Sequence, residues 1–124
     1  MKYIDSNIFA YAFYNNEHQH ACQQAIRDGG VTNTINLIEA FHIIELQTSR
    51  DLAIRAIKGL LKSNIAIIDA DINVLFEAVK KAEKYKKLKI LDLLHYVTAK
   101  SHDCNFILSY DKDFDALEIQ RLEP

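Results

Sequence analysis

Five acidic side chains stand where this chain could bring them together: Asp5, Glu39, Asp92, Asp111 and Asp113. Asp5 follows the strand-forming pair Tyr3-Ile4, and Asp111 and Asp113 follow Phe106-Ile107-Leu108 closely, so both sets sit just past an extended apolar stretch. Glu39 lies at the margin of the apolar arc of Leu37, Ala40, Phe41, Ile43 and Ile44, where a carboxylate is costly without compensation. Asp92 falls in the first turn of an otherwise apolar helix. Each has a structural reading on its own: a helix cap for Asp5, a rim glutamate paired with a lysine for Glu39, a charge favoured by the helix dipole for Asp92, an Asp-rich turn for the last two. As a set they mean more. Four or five carboxylates in one place repel, and some of their pKa values rise unless cations intervene. Hard oxygen donors select Mg²⁺ or Mn²⁺ over zinc or copper. His18, His20, His42, His95 and His102 are scattered without ligand spacing and read as non-ligands.

The acids need elements to carry them. Asp5-Ser6-Asn7 ends a strand and opens a helix that continues through Phe13. A second helix spans residues 17–27 and stops at Gly29-Gly30. A β-branched strand covers residues 31–35, Asn36 caps a helix over 37–47, and a fourth helix over 51–62 turns Ile54, Ile57, Leu60 and Leu61 inward. Residues 65–68 form a strand. Asp71 then caps a long helix with the apolar stripe Ile72, Leu75, Phe76, Val79, Ala82 and Tyr85. After a lysine-rich segment, a helix over about 91–101 places Asp92 on a face with Tyr96 and Ala99, away from a core side of Leu93, Leu94 and Val97. Strands at 105–108 and 119–122 flank a short helical turn at Phe114. Strands separated by helices imply βαβ units and a three-layer α/β/α sandwich around a parallel sheet of about five strands. Parallel strands end on one side. Asp5, Asp111 and Asp113 would then crowd one rim, the place where open α/β sheets bind ligands. Glu39 and Asp92 would enter it from helices.

The 124 residues are expected to form one domain, residues 1–124, with no linker or repeat. No apolar run approaches the ~20 residues that span a bilayer, and the N-terminus lacks the apolar core of a signal peptide, so a cytoplasmic protein is expected. Cys22 and Cys104 have no paired spacing and read as reduced, buried thiols. The net charge of −2 argues against wholesale nonspecific binding to nucleic acid, but without the five acids, 12 acidic residues face 15 basic ones. A cluster neutralised by cations would leave a mildly basic surface.

These residues resemble the PIN-domain ribonucleases, and within them the small VapC-like toxins of prokaryotic toxin–antitoxin pairs. The resemblance rests on Tyr3-Ile4-Asp5-Ser6-Asn7, Asn36-Leu37-Ile38-Glu39, Ile90-Leu91-Asp92-Leu93-Leu94-His95 with Ala99, and Ile107-Leu108-Ser109-Tyr110-Asp111-Lys112-Asp113-Phe114. They occur in the family's order and span nearly the whole chain. The likeness implies a parallel sheet in order 3-2-1-4-5 with the first strand central. It also implies an acidic quartet of Asp5, Glu39, Asp92 and Asp111, with Asp113 and Ser109 auxiliary. The family often has threonine at the place of Ser109, and serine keeps the hydroxyl.

On that resemblance, one or two Mg²⁺ or Mn²⁺ ions held by Asp5, Asp92 and Asp111 would shield an RNA phosphodiester and acidify a bound water, which Glu39 would position or deprotonate. An antitoxin protein is implied as a partner, and homodimers are common among similar proteins; exposed apolar residues on the third and fourth helices could serve as the dimer surface. The dense lysine run that ends in Lys86, Lys87 and Lys89 is either a solvated face or an RNA track. Alternatives are a PIN nuclease of RNA processing or of DNA, a phosphatase with the same acid cluster, and a PIN fold that binds RNA without cutting it. More distant is a receiver-type signalling domain with Asp69 as phosphoacceptor.

Overall fold

The computed structural model describes all 124 residues. Five short parallel strands form one sheet in the order β3-β2-β1-β4-β5, with β1 (Lys2–Ile4) in the centre. β2 is Val31–Asn33, β3 Ala66–Ile68, β4 Phe106–Leu108 and β5 Gln120–Leu122. The helices are α1 (Ser6–Tyr11), α2 (Gln19–Arg27), α3 (Thr34–Gln47), α4 (Arg50–Leu61), α5 (Ile72–Lys84) and α6 (Ile90–Ser101), with a 3₁₀ turn at Lys112–Ala116. β1 pairs with β4 in the register Lys2–Phe106, Tyr3–Ile107, Ile4–Leu108, which sets Asp5 and Ser109 side by side at the carboxyl rim. The expected fold and strand order are those observed. No helix is long and apolar enough to cross a membrane.

The central strand sends alternate side chains to opposite faces, as the period of two demands. Tyr3 joins a core with Val31, Leu93, Ile107 and Phe114 beneath α5 and α6. Ile4 joins Ile8, Phe9, Leu37 and Leu108 beneath α1, α3 and α4. Cys22 and Cys104 are free and buried, one in each of these cores. Gly30 is required by close approach: a Cβ there would stand 2.9 Å from the Lys2 carbonyl oxygen of the neighbouring strand.

Several local expectations give way to packing. α3 begins at Thr34, so β2 is shorter than the β-branched run suggested, and its cap is Asn33, whose side chain accepts from the Asn36 N–H at 2.8 Å. Asn36 lies inside the helix and is fully buried. On α4 the inward side is Ala53, Ala56 and Leu60, while Ile54 and Leu61 are exposed. Small residues let α4 approach α3 closely; the larger ones are left outside. The apolar stripe of α5 is also largely exposed, with Ile72 at 78% and Phe76 at 62%. α6 has no solvent side over Asp92–Ala99: Tyr96 and Ala99 belong to the core, together with Leu93, Leu94 and Val97. The order of strands also removes the receiver-type reading. β3 is an edge strand here, so Asp69 lies at the margin of the sheet and not beside β1, as the related order 2-1-3-4-5 would require.

Candidate active site

Asp5 is the N-cap of α1, extended at φ −83° and ψ 163°. Its Oδ1 accepts from the Ser6 N–H at 2.8 Å; its Oδ2 accepts from the Ser109 hydroxyl at 2.6 Å and the Asn7 amide at 3.3 Å. Burial pushes its carboxyl above the usual range, the Ser109 hydroxyl and the Ser6 N–H pull it back, and the charge of Glu39 adds to the upward push. The Ser109 oxygen also accepts from the Asp111 N–H at 3.0 Å, so one hydroxyl ties the end of β1 to the turn after β4. Asn7 braces the same junction, donating to Ser109 at 3.2 Å and accepting from the Tyr110 N–H at 3.4 Å.

Asp111 caps the 3₁₀ turn by accepting from the Asp113 N–H at 2.9 Å. Asp92 reaches this place from the first turn of α6. Carboxylate oxygens of Asp92, Asp111 and Asp113 lie within 4.8 Å of one another. Asp92 is buried, and its Oδ2 has no hydrogen-bond partner. Its pKa is raised to about 6, first by burial, then by the charges of Asp111, Asp5 and Asp113. A buried carboxylate with an orphaned oxygen, grouped with two further carboxylates, is the setting in which a divalent cation replaces missing donors. The oxygen-only donor set suits Mg²⁺ or Mn²⁺.

The structure therefore brings together Asp92, Asp111 and Asp113, with Asp5 alongside through Ser109. Two details differ from the expected arrangement. Asp113, expected as an auxiliary, shares the tight group, while Asp5, expected as a ligand, stands outside it with both oxygens already accepting hydrogen bonds. Glu39 is on the second turn of α3, partly exposed, and its Oε1 pairs with His95 Nε2 at 2.5 Å. Lys86, Lys87 and Lys89 are exposed in the connection between α5 and α6, just ahead of the helix that carries Asp92. They form no ion pairs, whereas Lys80 and Lys84 of the same run approach Glu77 and Glu118.

Sequence reasoning missed Asn7 and His95. In the sequence Asn7 stands in a helix start and in the opening motif of the resemblance, with no role of its own assigned to it. His95 reads as a non-ligand, and no histidine is in the acid group, but this one is buried against Glu39.

A parallel α/β sheet with carboxylates gathered at the carboxyl rim, around its central strand, defines the class. The chain belongs to the PIN domain family, whose model matches residues 2–120. Among solved structures it resembles the Mycobacterium tuberculosis VapC20 toxin, described as cleaving the sarcin-ricin loop, with a TM-score of 0.88 at 12% identity and complete coverage of both chains. It also resembles FitAcB from Neisseria gonorrhoeae (TM-score 0.71, 18% identity, 100% of this chain and 98% of that one). A toxin–antitoxin complex from Klebsiella pneumoniae is similar too (TM-score 0.70, 18% identity, 95% and 93%). At these identities the likeness is one of fold. No curated protein matches the sequence.

Proposed function

We propose that this chain is a divalent-cation-dependent endoribonuclease and the toxin of a toxin–antitoxin pair. The observation that carries the reading is the unpartnered, buried Oδ2 of Asp92 beside Asp111 and Asp113. Family membership and the toxin structures that share the fold point the same way.

Asp92, Asp111 and Asp113 would hold Mg²⁺ or Mn²⁺, with Asp5 contributing charge from the Ser109 side. Such a cation, when bound, neutralises phosphodiester oxygens and makes a water more acidic. Ser109 and Asn7 keep Asp5 and the Asp111 turn in register. Glu39 positions the attacking water and takes its proton, since one of its oxygens is tied to His95 and the other has no protein partner. Attack in line with the departing 3′ oxygen, which then takes up a proton, leaves 5′-phosphate and 3′-hydroxyl ends. The exposed Lys86, Lys87 and Lys89 would track the RNA backbone.

The partner is an antitoxin that places a basic side chain in the acidic rim, where charge complementarity favours it. Exposed apolar residues on α3, α4 and α5 are surfaces for that antitoxin and for a second copy of the chain. The protein acts in the cytoplasm. The test is cleavage of structured RNA with Mg²⁺, Mn²⁺ or EDTA, beside single-stranded DNA and a phosphatase substrate. Cation-dependent RNA cleavage that Asp5→Asn abolishes while the circular dichroism spectrum is kept supports the reading. Full activity in EDTA, or full activity of the Asp5→Asn protein, sinks it.

A further inference from the structure

We infer that His95 is a positioning residue for Glu39: its buried imidazole, fixed as the Nε2–H tautomer, clamps one carboxylate oxygen and leaves the other for water. The inference rests on the reading of Glu39 as the group that handles the attacking water. It follows from a chain of hydrogen bonds whose directions are fixed by the backbone. Asn33 Oδ1 accepts from the Asn36 N–H at 2.8 Å, so the Asn33 amide nitrogen must face the other way. There it meets Thr98 Oγ at 3.1 Å and His95 Nδ1 at 3.1 Å. The Thr98 hydroxyl donates to the Leu94 carbonyl at 2.8 Å, so its oxygen is free to accept. His95 Nδ1, facing an amide N–H, must accept as well.

Asn36 repeats the logic. Its Oδ1 accepts from the Ser6 N–H at 3.1 Å, which directs its Nδ2 to the Tyr3 hydroxyl. Tyr3 therefore accepts from Asn36 and has its own proton to give, and His95 Nδ1 is 3.3 Å away. Two donors converge on Nδ1. The single ring proton of neutral imidazole must sit on Nε2, which donates to Glu39 Oε1. Every heavy partner on the Nδ1 side is at most 1% exposed, and so is His95. The ring cannot turn without breaking buried hydrogen bonds, so it holds Glu39 rigidly, in the manner of outer residues that orient a catalytic group. One and the same Ser6 N–H serves Asn36 and Asp5, which joins the clamp to the acid rim.

The test compares His95→Leu and His95→Gln, each in the wild-type protein and in Glu39→Gln, at one pH with saturating Mn²⁺. Glutamine can present an amide N–H near the place of Nε2–H; leucine presents none. His95→Leu is expected to lower kcat about 10–100-fold with little change in KM, the scale for loss of an orienting partner. His95→Gln should recover much of that loss, and in Glu39→Gln neither substitution should lower the residual rate further. The imidazole ¹⁵N spectrum of the metal-free protein should show Nε2 protonated and Nδ1 bare. Wild-type kcat in His95→Leu, a loss that persists undiminished in Glu39→Gln, or a protonated Nδ1 overturns the inference. If wild-type protein cleaves no RNA, the proposed function fails instead, and the ¹⁵N spectrum still decides the tautomer.

Discussion

α5 and α6 are neighbours of similar length, packed against each other, and they use their side chains in opposite ways. α6 is buried over eight consecutive residues, Asp92–Ala99. α5 buries only Val74 and Ala78 and leaves Ile72, Leu75, Phe76 and Val79 largely in solvent. In sequence, α5 has the cleaner apolar stripe and looks like the core helix. A stripe, however, shows only that a face is apolar; whether its own domain covers that face depends on topology. α6 is the helix the fold covers on all sides, and it takes two ionisable residues, Asp92 and His95, inside. Buried charge costs free energy unless it is used or compensated, so on the proposed function α6 carries the chemistry and α5 offers a surface.

The sharpest way to break this contrast is to compare one change on each helix. Asp92→Asn should lower RNA cleavage by about a thousandfold, several kcal/mol of lost transition-state stabilisation. Phe76→Ala should leave the rate within about twofold, since its exposed ring touches none of the acids. Single-turnover cleavage measures both. Comparable losses from the two would mean that α5 belongs to the machinery.

Stability should divide the helices as well. Leu93 is fully buried, and Leu93→Ala should cost about 2–5 kcal/mol in urea unfolding. Phe76→Ala should cost less than ~1 kcal/mol in the monomer, because most of that ring is already in water. A larger cost at high protein concentration alone would show that a second copy covers α5.

A smaller effect follows from Asp92 in the metal-free protein. Its carboxyl is at 3.8 in the unfolded chain and raised to about 6 on folding, so the folded form holds the proton more tightly. Stability from this group is full below pH ~4 and is lost as pH rises through ~6; solvent near the cluster limits the loss to about 1–2 kcal/mol. Asp5, raised by burial, adds in the same direction. Thermal melts of the metal-free protein should fall between pH 4 and 6. Asp92→Asn should flatten much of that fall, and Mn²⁺ should raise the melting temperature above pH 6 only where Asp92 is intact. A profile that rises over this interval would reverse the sign assigned to the cluster.

The carboxyl rim was legible in the sequence because its logic is one-dimensional: an acid just past a strand lies at the rim whatever the rest of the fold does. The parallel sheet followed from strands alternating with helices. Other features needed three dimensions. Thr34 and Ile35 favour strand by propensity, yet they open α3 because Asn33 finds the Asn36 N–H and caps it. Ile54 and Leu61 look like core, but the close approach of α3 admits Ala53 and Ala56 instead. The role of His95 is invisible along the chain, because its partners come from β1, β2 and α3 and share no spacing with it.

The connection between the two helices gives the finest distinction. Lys86, Lys87 and Lys89 leave the exposed α5 and enter the buried α6, unpaired and in solvent. As a solvated face they would belong with α5; as a phosphate track, with α6. Replacing all three by glutamine removes three charges without touching either core. If they contact the backbone of a single strand, the slope of log affinity against log salt should fall by about 2, and low-salt affinity by about tenfold. The catalytic rate at saturating RNA should hold, because these side chains contact none of the acids. An unchanged slope would assign the loop to the surface of α5, and the acid rim would then have to draw RNA through its bound cation and other basic residues.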